Sequence, residues 1–162
     1  MTIRKGFWKS KKLANLSLEE WEALCDGCGI CCLYKVEDED TGEVELTNIA
    51  CRFLDLECIR CQLYDDRKSA MPTCIKLSPL KVETLKWLPE TCAYRLILRG
   101  QPLPDWHPLE SGDPQSIHDA GISVRGKVIR ETDADLDRIE EYVIDDLYQQ
   151  ENNLELFKKK PD

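Results

Sequence analysis

The sequence predicts a small α+β domain with several helices, a few short strands and long irregular loops rich in cysteine. Three observations lead there. Helix-start signals recur: Ser17 stands three residues before Glu20, Ser78 precedes Pro79, and Thr132 is followed by Asp135. Two short apolar-polar runs flank the acidic turn EDEDTGE (37–43), as in a hairpin. Between these signals, residues 51–78 show no clear periodicity and carry Cys51, Cys58, Cys61 and Cys74. With 162 residues, 42% hydrophobic and 33% charged, the chain can bury a core of its own.

In chain order, residues 1–16 form a basic arm in which Arg4, Lys5, Lys9, Lys11 and Lys12 concentrate, and it reads as a solvated segment. The Ser17/Glu20 capping box predicts a helix over Leu18–Leu24, which delivers the chain to Cys25. Leu33–Val36 and Val44–Thr47 are the strands of the hairpin. Ser78 as N-cap and Pro79 at the first helical position begin another helix, which Trp87-Leu88-Pro89 interrupts. A further helix is expected over Glu90–Arg99, ending at Gly100, with Cys92 in its first turn, where the positive end of the helix would favour a thiolate. The proline-rich segment 101–114 should be an ordered-to-extended loop, and Ile122–Ile129 a strand or hairpin around Gly126. Leu136, Ile139, Val143, Ile144 and Leu147 recur at helical spacing, so 136–148 is expected to be an amphipathic helix, with a frayed tail over 151–162. The domain itself is then 17–150.

Composition excludes several functions. The net charge of -9 argues against nucleic acid, whose phosphates require a basic face. No apolar stretch approaches the ~18 residues of a membrane span, and no apolar run follows the positive charges of the N-terminus as it would in a secretory signal. A cytoplasmic, membrane-free protein is expected. In that compartment, clustered cysteines bind metal or do redox work more often than they form disulfides, and nine is a poor number for a fully paired framework.

Cys25, Cys28, Cys31 and Cys32 stand within eight residues, in the order C-x2-C-x2-C-C. A buried cysteine is commonly a small hydrophobe, but four thiols in one glycine-containing loop have no packing rationale. Thiolates hold zinc and iron–sulfur clusters, and this spacing lets one loop supply three sulfurs to one centre. Neighbouring side chains diverge in extended backbone, so Cys31 and Cys32 either serve two different centres or one of them is simply buried. Zinc and a 4Fe–4S cluster each take four thiolates, so counting does not separate them. Paired knuckles, Cys25/Cys28 with Cys58/Cys61, would suit structural zinc, whereas three thiols in a run would suit a cluster loop with a remote fourth ligand. The x3-C-P continuation of a ferredoxin is missing.

At these residues the chain resembles the CxxCxxCC zinc- or iron-chelating (YkgJ-type) family, and within it the YcgN-like bacterial branch. The blocks that carry the resemblance are CDGCGICC (25–32), ACRFLD (50–55), CQLYDDR (61–67), PTCIKL (72–77), WLPETCAYR (87–95) and LPDWHPL (103–109). The resemblance implies Cys25, Cys28, Cys31, Cys32, Cys51, Cys61 and Cys74 as a general ligand set, with Cys92 added in this branch and Cys58 as the odd ninth thiol. The motif is also similar to that of flagellin lysine methylases, which carry an iron–sulfur cluster. That favours iron–sulfur over zinc, although no methyl-donor site is recognisable here.

Among the other side chains, His107 between two prolines is either a ligand, an acid/base or a structural ring, and His118 reads as an ordinary loop residue. Trp87, Tyr94 and Trp106 are expected to shield sulfur from water. Tyr64, Arg67, Tyr94 and Arg95 are candidates for flanking the centre, since a cation or N–H group offsets thiolate charge. No Gly-rich phosphate loop, Ser-His-Asp order or activated-thiol arrangement is present, so no catalytic residue is assigned. The expected partner is a metal ion or cluster, with a protein partner left open. Two roles follow: a metal-binding or structural zinc protein, or an iron–sulfur enzyme or electron carrier.

Overall fold

The computed structural model describes residues 3–10, 12–66, 69, 71 and 74–144, which fall into two compact units. One is built from residues up to 31 together with 53–126, and the other from 32–52 with the chain after 126. Both are mixtures of short helices and short strands, so the fold is α+β as expected.

In the first unit, α1 (Leu18–Leu24) forms as the sequence predicts. Ser17 Oγ accepts from the Glu20 N–H at 3.2 Å, and Glu20 Oε2 accepts from the Ser17 N–H at 3.1 Å, so both halves of the capping box are made. Arg4 closes on the same carboxylate with two bonds, of 2.7 and 3.0 Å. The basic arm is therefore docked where a solvated one was expected: Phe7 and Leu13 are buried, and the Trp8 indole N–H donates to Glu110 at 2.7 Å. Lys11 lies outside the described residues.

The irregular stretch after residue 51 contains a minimal hairpin of β3 (Leu54–Asp55) and β4 (Arg60–Cys61), with Leu54 opposite Cys61. Asp55 Oδ1 gathers the Glu57 and Cys58 N–H groups to turn the chain. Helix α2 (Pro79–Thr84) begins as predicted, with Ser78 Oγ accepting from the Lys81 N–H. Helix α3 spans only Ala93–Leu98, shorter than the predicted Glu90–Arg99, and Cys92 is its N-cap rather than a residue of its first turn. Its end is as predicted: the Gly100 N–H bonds Ile97 O and the Gln101 N–H bonds Leu96 O, a Schellman pair permitted by the positive φ of Gly100. The proline-rich segment is not loop throughout. It holds α4 (Pro108–Ser111), and α5 (Ser116–Asp119) follows.

The second unit is a three-stranded sheet of order β1-β2-β5. Antiparallel β1 (Leu33–Glu37) and β2 (Val44–Ala50) form the predicted hairpin, with a bulge between Leu33 and Lys35. Its acidic turn satisfies itself, since Asp38 Oδ1 accepts from the Asp40 and Thr41 N–H groups, and these bonds hold its carboxyl below the usual value. Strand β5 is only Ile129–Arg130 and runs parallel to β2, so the strand or hairpin expected across 122–129 is reduced to its last residues. The helical pattern from Leu136 produces a 3-10 helix over Leu136–Tyr142, broken at Arg138, with Asp135 rather than Thr132 as its cap. Val143 then bridges Thr47, and the Ile144 N–H bonds Leu46 O at 2.8 Å. The apolar periodicity is spent on a sheet edge, and the end of the predicted helix and the tail lie outside the described residues.

Ser17→Ala should lower unfolding stability by about 1 kcal/mol, read from the denaturation midpoint. Glu20 gives a second test. Burial raises its pKa, but the bonds from Arg4 and Ser17 outweigh burial and hold it below 4.5. Ionised Glu20 therefore favours the fold above its unfolded pKa, and this contribution is lost as pH falls through the depressed folded value. Glu20→Gln should flatten the acid limb of a stability-against-pH profile below about pH 4.5. An acid limb identical to that of the parent would refute the linkage.

Candidate metal centre

The cysteine loop begins where α1 ends. The last carbonyls of a helix have no partner within it, and here the final one, Leu24 O, accepts from His107 Nε2 at 2.8 Å. The other ring nitrogen, Nδ1, accepts from the Leu109 N–H at 2.9 Å and caps α4. His107 is fully buried as a neutral ring with the proton on Nε2, and burial holds its pKa below the usual value against the raising effect of the Leu24 bond and Asp26. Both nitrogens are thus committed to backbone, which is the structural reading of this residue rather than the ligand or acid/base reading.

Beyond Leu24 the chain turns twice on glycines with positive φ, Gly27 and Gly29. Asp26 Oδ1 accepts from the Cys28 N–H at 3.0 Å, and Cys28 O accepts from the Val124 N–H at 2.9 Å, so the Cys28 peptide is clamped on both sides. Gly29 has a second reason to be glycine. A Cβ there would stand 2.5 Å from Ile59 Cγ2 and 2.7 Å from Val124 Cγ2. The loop is pressed against the β3–β4 hairpin at Ile59, which itself holds a positive φ of 55°.

This clamped loop carries Cys25, Cys28 and Cys31 in the first unit. Burial pushes the Cys28 thiol well above its usual pKa, and the charges of Asp26, Cys31 and Cys25 push it further. Cys92 shares this field. It is buried, and desolvation and Asp26 push its pKa up to about 11, against the pull of the Arg95 and Tyr94 N–H groups and the Arg95 charge. The expected helix-end stabilisation of a Cys92 thiolate is present but is outweighed. Tyr94 packs on Trp21 at 4.5 Å and donates to Trp21 O at 2.7 Å. Burial and the charges of Cys25, Tyr64, Glu22 and Cys92 raise its phenol strongly. Arg95 donates to Leu88 O and pairs with Glu90. Tyr64 is exposed and bonded to Glu22, and Arg67 lies outside the described residues.

The remaining thiols are distributed as follows. Cys61 pairs across β4 with Leu54, Cys74 is half-buried, and Cys58 is exposed on the hairpin turn. In the second unit the Cys51 N–H donates to Cys32 O at 2.9 Å, so these two residues face each other at the open end of the β1–β2 hairpin. Tyr34, bonded to Glu131, has its phenol pushed up to about 12 by burial, by Glu131 and by Cys51. All nine cysteines are free of disulfides. Among the described residues, no three Cys, His, Asp or Glu side chains are drawn into a finished coordination shell.

The comparisons with known proteins match this cysteine framework. Residues 24–93 match a family model described as "CxxCxxCC: Putative zinc- or iron-chelating domain". That span opens one residue before Cys25, closes one residue after Cys92 and so contains all nine cysteines. A UPF0260 protein of Cellvibrio japonicus is 54% identical over 144 residues, covering 89% of this chain and 98% of its own length. The chain belongs to the UPF0260 family. Other members share the match: one from Rhizorhabdus wittichii is 54% identical over 134 residues (83% of this chain, 92% of that one), and one from Rhizobium johnstonii is 51% identical over 139 residues (86% and 88%). No solved structure matches the chain. Among the described residues no helix is long and apolar enough to cross a membrane.

The sequence did not single out the residues that hold this family's cysteine loop in place, namely Val124, Ile59 and the buried carboxylate Asp26. Only the glycine at 29 hinted that something approaches the loop closely. Gly29→Ala should therefore cost about 1–3 kcal/mol in chemical denaturation, from overpacking and from the positive φ. His107→Ala removes a buried ring together with the partners of Leu24 O and the Leu109 N–H, and should cost about 3 kcal/mol in the same measurement. A loss below about 1 kcal/mol would contradict the bridging role of the ring.

Proposed function

We propose that the chain holds a metal centre through Cys25, Cys28, Cys31 and Cys92, and that the centre is an iron–sulfur cluster. The observation that carries the proposal is the loop itself, in which three thiols are borne on one segment whose central peptide is clamped by Asp26 and Val124 and whose Gly29 is wedged against Ile59. A loop restrained this closely presents sulfurs at a defined spacing, and thiolates are the ligands that zinc and iron–sulfur clusters take. Cys92 is proposed as the fourth ligand because it is buried in the same unit and feels the charge of the same Asp26 as Cys28.

The donor set fits the group. Cys25, Cys28 and Cys31 share one loop with the buried Asp26 carboxylate, and as anions these groups repel one another, which a cationic centre would relieve. Nearby Leu24, Ile30 and Tyr94 are buried, which supplies the apolar surroundings that restrict water at such a centre. When bound, a cluster would supply one-electron chemistry or a structural tie. The chain's own residues contribute the restraint: His107 fixes the start of the loop, Asp26 and Val124 hold its middle, and Arg95 places a positive charge near Cys92. Cys32 and Cys51 form a separate pair in the second unit.

Anaerobic purification followed by a visible spectrum and metal analysis tests the proposal. A brown protein with a broad band near ~400 nm and iron with acid-labile sulfide is the expected result. Stoichiometric zinc in a colourless protein would replace the cluster with a structural four-thiolate zinc site. No bound metal at all would end both. In the variant series, Cys28→Ser and Cys92→Ser should each lose most of the bound metal, because a hydroxyl is a poor substitute for thiolate, and Cys58→Ser should retain it. If Cys58→Ser loses as much as Cys28→Ser while Cys92→Ser loses none, the paired-knuckle zinc site is the better assignment.

A further inference from the structure

A cleft in the first unit lies beside the cysteine loop and takes no part in the centre proposed above. Asp26 and Gly27 of the loop form one wall, while Cys58 and Arg60 of the β3–β4 hairpin join Gln115 and His118 of the α5 segment to form the rest. Arg60 and Gln115 bring donors to it, and Asp26 brings a carboxylate. The Arg60 guanidinium has no hydrogen bond or ion pair among the described residues. Ser123 Oγ accepts from the Arg125 N–H at 3.3 Å and hydrogen-bonds His118 Nδ1 at 2.7 Å, which fixes the orientation of the His118 ring in the wall. Gln115 Oε1 is occupied by Arg125 Nη1 at 3.1 Å, which leaves its NH2 end as the group on offer.

The local field has the same sign. Burial lowers the pKa of His118, and the positive charges of Arg125 and Arg60 lower it further, opposed only by Asp119. A cationic corner in a chain of net charge -9 therefore stands against the general balance. A metal ion does not suit it, since Arg60 is in the wall and no metal-holding group of three is found among the described residues. Arginine with neutral N–H donors is the chemistry that recognises carboxylate and phosphate.

We propose that this cleft is a binding site for a small oxyanion, a carboxylate or phosphate group, held by Arg60 and Gln115 with the His118 ring in the wall. Asp26 on the facing wall selects oxyanions that also carry an O–H donor, as hydrogen phosphate and hydroxy acids do. The Cys58 thiol, exposed at the mouth, serves as the reporter.

The test is site-resolved alkylation of Cys58 in the full-length protein, purified anaerobically with whatever metal it holds. Iodoacetamide modification is followed by peptide mass spectrometry in the presence of inorganic phosphate, glycolate or acetate, with chloride at matched ionic strength as control. Phosphate or glycolate should slow Cys58 alkylation several-fold and saturably, acetate should act less, and chloride should not act. Arg60→Gln should raise the half-protecting concentration by about tenfold or more, the scale of one lost charge-assisted bond. Gln115→Ala, an exposed position, provides a second variant with a smaller shift in the same direction. Failure of both phosphate and glycolate to protect Cys58, equal protection by chloride, or half-protecting concentrations unchanged in both variants would each overturn the proposal. Metal content is measured on the same samples; because Cys58 is a ligand in the paired-knuckle alternative, protection that follows metal content rather than anion concentration overturns the cleft without bearing on the centre.

Discussion

The arrangement of the cysteine loop depends on two buried hydrogen bonds that satisfy backbone carbonyls, Leu24 O from His107 and Cys28 O from Val124. A loop in irregular backbone cannot satisfy its polar groups internally, and a buried carbonyl left alone costs about 1–3 kcal/mol. By supplying those partners from distant parts of the chain, the protein fixes where the loop starts and how its middle is oriented. The glycines then do what no other residue could at the same positions. Gly27 supplies a left-handed turn, and Gly29 supplies both that turn and the space that Ile59 and Val124 occupy. The thiols inherit their placement from these contacts.

The same logic explains why local features were legible and distant ones were not. The Ser17/Glu20 box, the Ser78-Pro79 start and the Gly100 stop are each written within a few residues, and each formed as read. The hairpin about the acidic turn was legible for the same reason. Where a residue's partner lies far along the chain, sequence reading had nothing to work with. Arg4 reaches Glu20, Trp8 reaches Glu110, and the arm that looked solvated is anchored by both. The helical spacing at 136–144 met a competing demand, because Val143 and Ile144 bond to β2 and the backbone leaves the helix to reach it. Tertiary pairing overrode periodicity there.

At the site, residue type was legible and environment was not. The spacing of Cys25, Cys28 and Cys31 is a property of the string. The burial of Asp26 beside Cys28 and Cys92 is a property of packing, and it reverses the expectation that a helix start alone would favour the Cys92 thiolate. The partial charges at the start of a six-residue helix are modest and fade within a turn, whereas desolvation and a buried carboxylate act at full strength. His107 shows the complementary point. Two prolines mark it as rigid, but only the fold reveals that its rigidity is spent on Leu24 and Leu109.

The clamp on the loop also has a place in time. Synthesis proceeds from the N-terminus, so the thiols of residues 25–31 emerge long before Val124, whose N–H closes on Cys28 O. Through that interval the loop has its glycines, its capped helix and, once it is made, Ile59, but not Val124, to press against. Nascent thiols in this state are accessible to oxidants, chaperones and any metal donor. The last piece of the first unit to be made is thus the one that closes the loop.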